Sequence, residues 1–454
     1  MNSLAKIIIA FLQPLIIFSQ IIPKDDFSFQ ISKLLYDAGK EWHSLTNFGP
    51  VGLEGYKEKG KKKEKNIEPL NYINWRAGLD VQGNSFSLHN YTNLTYKNYY
   101  SFFNPRIIIG QEKVERPNKG TQLINPWSEQ AGIGFKNIWA TLQIGKGRES
   151  WGAGDGIQLA LSEESEPYDY FLLASDYGNI RVRYIHGFLE RVQTNINRYI
   201  TARGFEWTNK KSIIIGFSET VIYSGENRSF EIGYLNPISS HLEIELNKRM
   251  NYNQGNDANA VWQFHLEYLI NKSFRLSINY LFDEFVLDPN IEIGKEHGKA
   301  FSHRLSYTIP LPNDYQFTFY SSFVHVGTPT FRHVSGINNF VQNNRPLGWY
   351  RGSDAQELCI GVNYFNYKNF IFNIFSGILH QGNETITRRV FEPYSDYIRG
   401  AFPSGEVVKN YFSGTSIIYN LKENYIISAT FNQFKGSGVF EIKINVPIYH
   451  YYNG

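Results

Sequence analysis

The sequence predicts an all-β fold, a transmembrane antiparallel β-barrel of about 18 strands, and three observations carry that prediction. Apolar and polar residues alternate over many short segments, which is the period of a strand, whose successive side chains face opposite sides. Aromatic residues make up 16% of the 454-residue chain, with 31 Tyr and 34 Phe. That is more than an ordinary core needs and suits the aromatic girdles of a membrane barrel. Beyond the first two dozen residues no apolar run approaches the roughly 18 residues that a spanning helix requires. The mean hydropathy of −0.36 agrees, because a barrel interleaves lipid-facing with lumen-facing residues.

Residues 1–20 read as a secretory signal peptide. Lys6 supplies the positive start, 7–18 form a short apolar stretch, and Ser19-Gln20 precede a mature start near Ile21. The single cysteine, Cys359, lies deep in the chain, so there is no disulfide framework and no lipid-carrying cysteine at the leader junction. Residues 21–70 differ in pattern from the remainder of the chain. Phe27, Phe29, Ile31, Leu34, Leu35 and Ala38 fall at mixed spacing, which predicts a short amphipathic helix at the periplasmic mouth. The charge run 57–65 (KEKGKKKEK) suits a solvated linker, or contact with acidic head groups or an acidic polymer.

Residues 71–454 form one barrel, since strand-like segments recur between Gly, Asn, Asp and Pro breaks without a second shift of composition. Segments 139–146, 179–188, 229–235, 241–247, 261–269, 273–282, 315–326, 369–379, 424–431 and 440–446 read as strands. In 241–247 the alternation is sharpest, with Leu242, Ile244 and Leu246 opposed to Glu243, Glu245 and Asn247. At about 20 residues per strand plus connection the count is roughly 18, within 16 to 20. Polar stretches 249–259, 288–300 and 328–349 read as extracellular loops, because periplasmic turns are short in such barrels.

Forty-five basic residues against 42 acidic leave a net charge of +3, no basic field for nucleic acid. The run 145–156 (GKGRESWGAGDG) lacks the Gly-Lys-Ser/Thr ending of a phosphate loop and reads as a tight strand connection. Gly216-Phe217-Ser218-Glu219 lacks the second glycine of a nucleophile elbow. The 11 histidines contain no HExxH or other close metal set. No metal, cofactor or enzymatic activity is therefore expected. The charged lumen face is assigned to Arg181 and Arg183, Glu231, Glu243 and Glu245, His265 and Glu267, Arg275 with Asn279, and Asp283. Such residues either neutralise one another in a packed interior or offer a polar surface to a sugar polymer, with Trp151, Trp349 and Tyr350 as aromatic faces. The candidate polysaccharide-binding set is thus Arg181, Arg183, Glu231, His265, Glu267, Arg275, Asp283, Trp151, Trp349 and Tyr350.

The stretch Trp151-Gly152-Ala153-Gly154 followed by Leu159, Leu161 and Ser162 resembles a signature of the Wzi-like capsule assembly family. Gly204-Phe205, Gly216 to Thr220, Tyr234 to Pro237, Gly255 to Asn259 and Asp283-Glu284 come after it in the family's order. Two features depart from it: Ala153 stands where the family favours Pro, and Glu163, Glu164 and Glu166 fill a segment often richer in Asn. The resemblance implies a monomeric outer-membrane barrel of a Gram-negative bacterium with a small helical element at its periplasmic end. It also implies a lectin-like, non-enzymatic role in holding capsular or exopolysaccharide at the cell surface. A role in gliding motility or adhesion, and a diffusion porin, are the alternatives.

Overall fold

A computed structural model describes residues 27–38, 72–82, 85–109, 124–137, 139–250, 258–283, 293–366, 368–394, 399–421 and 425–451. The proposed leader and the charge run 57–65 lie outside the described residues. The chain begins with helix α1 (Phe27–Asp37) and continues with β1 (Tyr72–Gln82), β2 (Ser85–Tyr96), β3 (Tyr99–Ile109), β4 (Ile124–Lys136) and β5 (Ala140–Gly147). Then come β6 (Tyr168–Tyr177), β7 (Ile180–Val192), β8 (Ile196–Thr208) and β9 (Ile213–Glu226), followed by two short helices, α2 (Ile232–Leu235) and α3 (His241–Leu246). Next are β10 (Ala258–Leu269), β11 (Phe274–Phe282), β12 (Lys299–Pro310) and β13 (Tyr315–Val326), and a small hairpin of β14 (Val341–Gln342) and β15 (Arg345–Pro346). The last five are β16 (Ala355–Asn366), β17 (Phe370–Gln381), β18 (Val408–Asn420), β19 (Ile426–Phe434) and β20 (Ser437–Tyr451).

Leaving the small hairpin aside, the described strands form one 18-stranded antiparallel sheet. Each strand pairs with its chain neighbour, and β20 returns to β1, with Ala77 opposite Val446. The sheet is therefore closed and has no free edge, the condition for strands to cross hydrocarbon. Connections at one end, such as 178–179, 209–212 and 270–273, are short, whereas 148–167, 327–354 and the described parts of the connections after β9 and β17 lie at the other. Short turns mark the periplasmic end of membrane barrels. Helix α1 packs at that end, with Phe27, Ile31, Leu35 and Ala38 against Phe365, Ile371 and Ile426.

Alternation sorts the wall into two faces. Ile133, Ile144, Phe205, Ile215, Phe264, Ile360, Ile374, Ile442 and Ile444 point outward and are exposed. Water would make so broad an apolar surface costly, whereas lipid makes it the natural exterior. A depression of about 630 Å³ between Leu305, Phe319, Ile360, Ile374 and Phe431 belongs to this belt. The inner face carries most of the barrel's buried polar side chains. Its apolar core is built by residues of the loops themselves, with Trp151, Leu159, Leu161, Phe331 and Trp349 clustered against Ile185, Ile200 and Leu379.

Two predicted strands are corrected. Segment 241–247 contains helix α3, with Asn247 as its C-cap, and 229–235 contains α2. The Leu-Glu-Ile-Glu-Leu pattern suits either structure: as a helix it buries Ile244 on one side and leaves Leu242 and Leu246 on the other. Ser240 decides locally, because its side chain accepts from the Glu243 N–H and caps the helix. A Ser followed three residues later by Glu is a helix-start signal. The run 145–156 is likewise not a tight connection, for it leaves the wall and enters the barrel.

Candidate functional site

Strands β5 and β6 have only 8 and 10 residues, so the chain between them leaves the wall early and turns inward. Residues Trp151 and Leu161 bridge one another, and the segment between them is strapped to the inner wall of β10 to β12. The Ala153 N–H donates to Asn279 Oδ1 (2.6 Å), and the Gly154 N–H to Glu267 Oε1 (2.7 Å). Asn279 Nδ2 donates back to the Ala153 carbonyl (2.9 Å), Ser302 Oγ to that of Ile157 (2.7 Å), and Gln263 Nε2 to that of Trp151 (3.2 Å). Side chains of the wall thus satisfy the backbone of a loop that has no sheet partner, as buried peptide groups require. Gly152 sits at φ +125°, a conformation that other residues rarely adopt.

From the opposite end α1 meets this loop. Lys33 Nζ lies 2.6 Å from Asp155 Oδ1 and also pairs with Glu163. Burial would depress the Lys33 ammonium, but these two carboxylates outweigh it and hold its pKa raised. Asp155 is pushed up by burial and more strongly down by Lys33 and Arg304, so its carboxyl stays below the usual range. Asp37 pairs with Arg304, and Arg275 lies over the Tyr36 ring, 3.4 Å from its centroid, while donating to the Tyr36 carbonyl (2.5 Å).

Three polar assemblies complete the interior. Glu149, fully buried, accepts from Trp151 Nε1 (3.2 Å), Tyr170 OH (2.9 Å) and Arg183 Nη1 (3.0 Å). Across β6 to β10 runs a register row: Arg181 pairs with Asp176 (2.6 Å) and Glu206 (3.7 Å), and His265 Nε2 lies 2.8 Å from Glu206. Gly216 stands between the last two, and any side chain there would collide with the His265 ring. On the wall formed by β1 to β5, Arg106 bridges Asp80 (3.1 Å) and Glu129 (3.2 Å), and Arg148 reaches Glu129 (3.7 Å). Glu129 occupies the extra position of a β-bulge, which re-aims its side chain. Beside Trp151, Arg183 and His265 only about 10 Å³ is left free, roughly the room of one water.

Toward the long-loop rim the segment 327–354 folds down into the barrel. Arg198 donates to the carbonyls of Ile337 (2.6 Å), Asn339 (2.7 Å) and Val341 (2.9 Å), and Asp283 accepts from the Phe331 N–H. Asp354 accepts from Thr328 Oγ1 (2.9 Å), the Glu384 N–H (3.0 Å) and the Ser404 N–H (2.8 Å), tying two loops together. Burial pushes the Glu384 carboxyl up, but hydrogen bonds from Arg332 and Arg389 outweigh it and hold it below its ordinary range. Among the described residues no group of three or more His, Cys, Asp and Glu side chains is disposed to hold a metal.

The sequence-derived candidates separate accordingly. Arg183, His265, Glu267 and Arg275 face the lumen as expected but are buried and partnered there. Asp283 is engaged by the inserted loop. Glu231 pairs with Arg228 (2.8 Å) in the segment after β9, outside the lumen, and Glu243 and Glu245 lie on α3. Trp151 and Trp349, at 2% and 1% exposure, offer no free ring face. Arg181 is partly exposed but stands at the short-turn end, whereas Tyr350 is 42% exposed near the opposite rim. Sequence reading missed Glu149, Glu206, Lys33 and the Asp80–Arg106–Glu129 ladder. The acidic Glu149, two residues before Trp151, was the available signal.

Fold and interior together define a closed membrane-type barrel with segments of its own chain folded inside it. Among solved structures it is similar to Wzi of Escherichia coli, an outer-membrane protein involved in group 1 capsule assembly and a carbohydrate-binding β-barrel. The TM-score is 0.59 at 12% identity, over 83% of this chain and 85% of that one. OccK2 (OpdF) of Pseudomonas aeruginosa aligns with TM-score 0.47 at 8% identity, over 84% of this chain and 98% of that one. A BenF-like porin from Pseudomonas fluorescens aligns with 0.46 at 8%, over the same shares. No protein-family model and no curated protein matches the sequence.

Proposed function

We propose that this protein is a non-enzymatic barrel of the Gram-negative outer membrane that attaches or organises capsular or exopolysaccharide at the cell surface. On this reading residues 1–20 are an export leader, 21–70 the periplasmic segment and 71–454 a monomeric barrel. The observation that carries the reading is the occupied lumen. Inside the barrel helix α1 meets the loop 148–167 through the Lys33–Asp155 pair, and that loop meets the segment 327–354 where the Ser162 N–H donates to the Leu347 carbonyl (3.0 Å) and the Trp349 N–H to that of Leu159 (3.1 Å). A diffusion channel needs a continuous aqueous path, which such inserts oppose. Fold likeness to Wzi, itself a carbohydrate-binding barrel, supports the same choice.

With the interior engaged, the ligand surface is the extracellular rim. Tyr350 is half-exposed there, with the Arg351 guanidinium 4.3 Å from its ring centroid and Glu357 within 3.1 Å of Arg351. An aromatic face beside planar hydrogen-bonding groups is the usual equipment for a sugar ring. The purified barrel is to be tested on an array of bacterial polysaccharides. Binding to a defined polymer that Tyr350→Ala weakens, with unchanged folding, supports the reading. An ohmic channel that binds no polymer overturns it.

A further inference from the structure

The segment after β9 does not rise above the barrel. Residues 227–250 fold back over the outer wall, so that α2 and α3 cover outward-pointing side chains of β7 to β10. Tyr199, Tyr223, Tyr234 and His241 form a stacked column with successive ring centroids 5.0, 5.0 and 6.0 Å apart, joining two strands to both helices. Tyr184 OH donates to the Tyr234 carbonyl (2.6 Å), and Tyr199 OH to that of Arg228 (2.6 Å). Beneath the column Arg203 and Glu219 pair at 3.3 Å and are both buried, although alternation points them away from the lumen. Glu219 also accepts from Trp262 Nε1 (2.9 Å) and the His241 N–H (3.0 Å), and Arg203 donates to the Asn236 carbonyl (3.2 Å). A charged side chain on the lipid face of a barrel costs up to about 2–4 kcal/mol at the midplane. Here the covering segment removes that exposure.

The outer surface of this cover is itself apolar. Ile232, Leu235, Ile238, Leu242 and Leu246 are exposed, Ile238 at 89% and Leu246 at 77%, while Gly233, Tyr234 and Ile244 face the barrel. Five such side chains left in water forgo the gain of burial, and a contiguous apolar patch of this kind marks a membrane or partner surface. The barrel continues directly below with exposed Phe205, Ile215 and Phe264. Phe205 is two residues beyond Arg203 on β8, and Phe264 two beyond Trp262 on β10, a step of about 7 Å toward the short-turn end. The apolar ridge is therefore continuous with the lipid belt, and exposed Glu245, Asn247, Lys248 and Arg249 border it.

We infer that residues 227–250 form an interfacial collar, seated in the outer leaflet with Ile232, Leu235, Ile238, Leu242 and Leu246 among lipid acyl chains. The collar rests on the membrane-spanning reading of the barrel and is independent of what the rim binds. Apolar helical faces buried in the headgroup and acyl boundary are the standard mode of interfacial attachment. In this protein the collar is locked to the wall by the ring column, so it fixes how deep β7 to β10 sit.

Single-cysteine variants Ile238→Cys and Leu246→Cys, built on Cys359→Ala, are to be labelled with an environment-sensitive fluorophore in lipid nanodiscs. Quenching is read with acyl-chain spin-labelled lipid and with aqueous iodide. Phe264→Cys serves as the belt control and Lys210→Cys as the aqueous one, and heat-dependent gel mobility checks that each variant folds. The expected result is lipid quenching at 238 and 246 at least half that at 264, with little from iodide. Iodide quenching without lipid quenching overturns the collar, as does protection from both that grows with protein concentration, which would mean a second copy covers the ridge. If the control at 264 also fails, the membrane reading itself falls.

Discussion

Lys33 on the N-terminal helix and Asp155 at the tip of the inserted loop lie 2.6 Å apart, so two segments entering from opposite ends of the barrel meet in one ion pair. Both groups are largely buried, at 11% and 30% exposure, with Glu163 on the same ammonium. Removing one member of such a pair leaves an uncompensated charge.

Replacing Lys33 by Met is accordingly expected to loosen the plug by roughly 3 kcal/mol while the closed sheet persists. Protease cleavage within 148–167 should rise, and bilayer conductance should exceed that of the parent protein. Unchanged cleavage and conductance would show that the wall contacts of Asn279 and Glu267 hold the loop without α1.

Arg181 and Arg183 share a strand face but not a fate. Arg183→Gln strands fully buried Glu149 and is expected to cost roughly 3–5 kcal/mol. Arg181→Gln gives up a contact with half-exposed Asp176, worth at most about 1 kcal/mol for an exposed pair, and a longer one with buried Glu206, which keeps its closer contact with His265. Thermal unfolding in detergent should therefore separate the two variants, with Arg183→Gln melting earlier. Equal melting points would mean that Glu149 finds another cation.

The rim should be acid-sensitive. Glu384 is held below its ordinary range by Arg332 and Arg389, so its folded pKa lies below the unfolded one. Its stabilising contribution is complete above about pH 4.3 and is lost as pH falls through the lower, folded value. Pepsin cleavage of 382–407 is expected to increase over that window, and Glu384→Gln should flatten the dependence. A pH-independent rate in the parent protein would remove Glu384 as the cause.

The barrel was legible because its signal is local: 261–269 falls within β10, 315–326 coincides with β13, and a count near 18 follows from chain length. The collar was not, since alternation in 241–247 fits a two-faced helix as well as a strand, and the Ser240–Glu243 cap had to break the tie. Lumen partners were half legible. Parity along a strand says that Arg183 faces inward, but which carboxylate it meets depends on where the 148–167 loop descends, and that depends on how early β5 ends. Parity also puts Arg203 and Glu219 on the lipid face, where only the collar makes them tolerable.

Gly152 and Gly156 give a paired test of how the loop is seated. Both have positive φ, +125° and +74°, so an alanine at either is strained by about 1–3 kcal/mol. Their surroundings differ. A Cβ on Gly152 would stand 2.6 Å from Asn279 Oδ1 and Gln263 Nε2, the atoms that strap the loop to β10 and β11, whereas Gly156 has nothing within 4 Å. Gly152→Ala must therefore displace those side chains and break their bonds to the Trp151 and Ala153 backbone, while Gly156→Ala bears backbone strain alone. Protease cleavage within 148–167 is expected to rise clearly for Gly152→Ala and little for Gly156→Ala, with heat-dependent gel mobility retained in both. Equal cleavage would mean that backbone strain governs the loop, and that the wall contacts of Asn279 and Gln263 do not hold it inside the barrel.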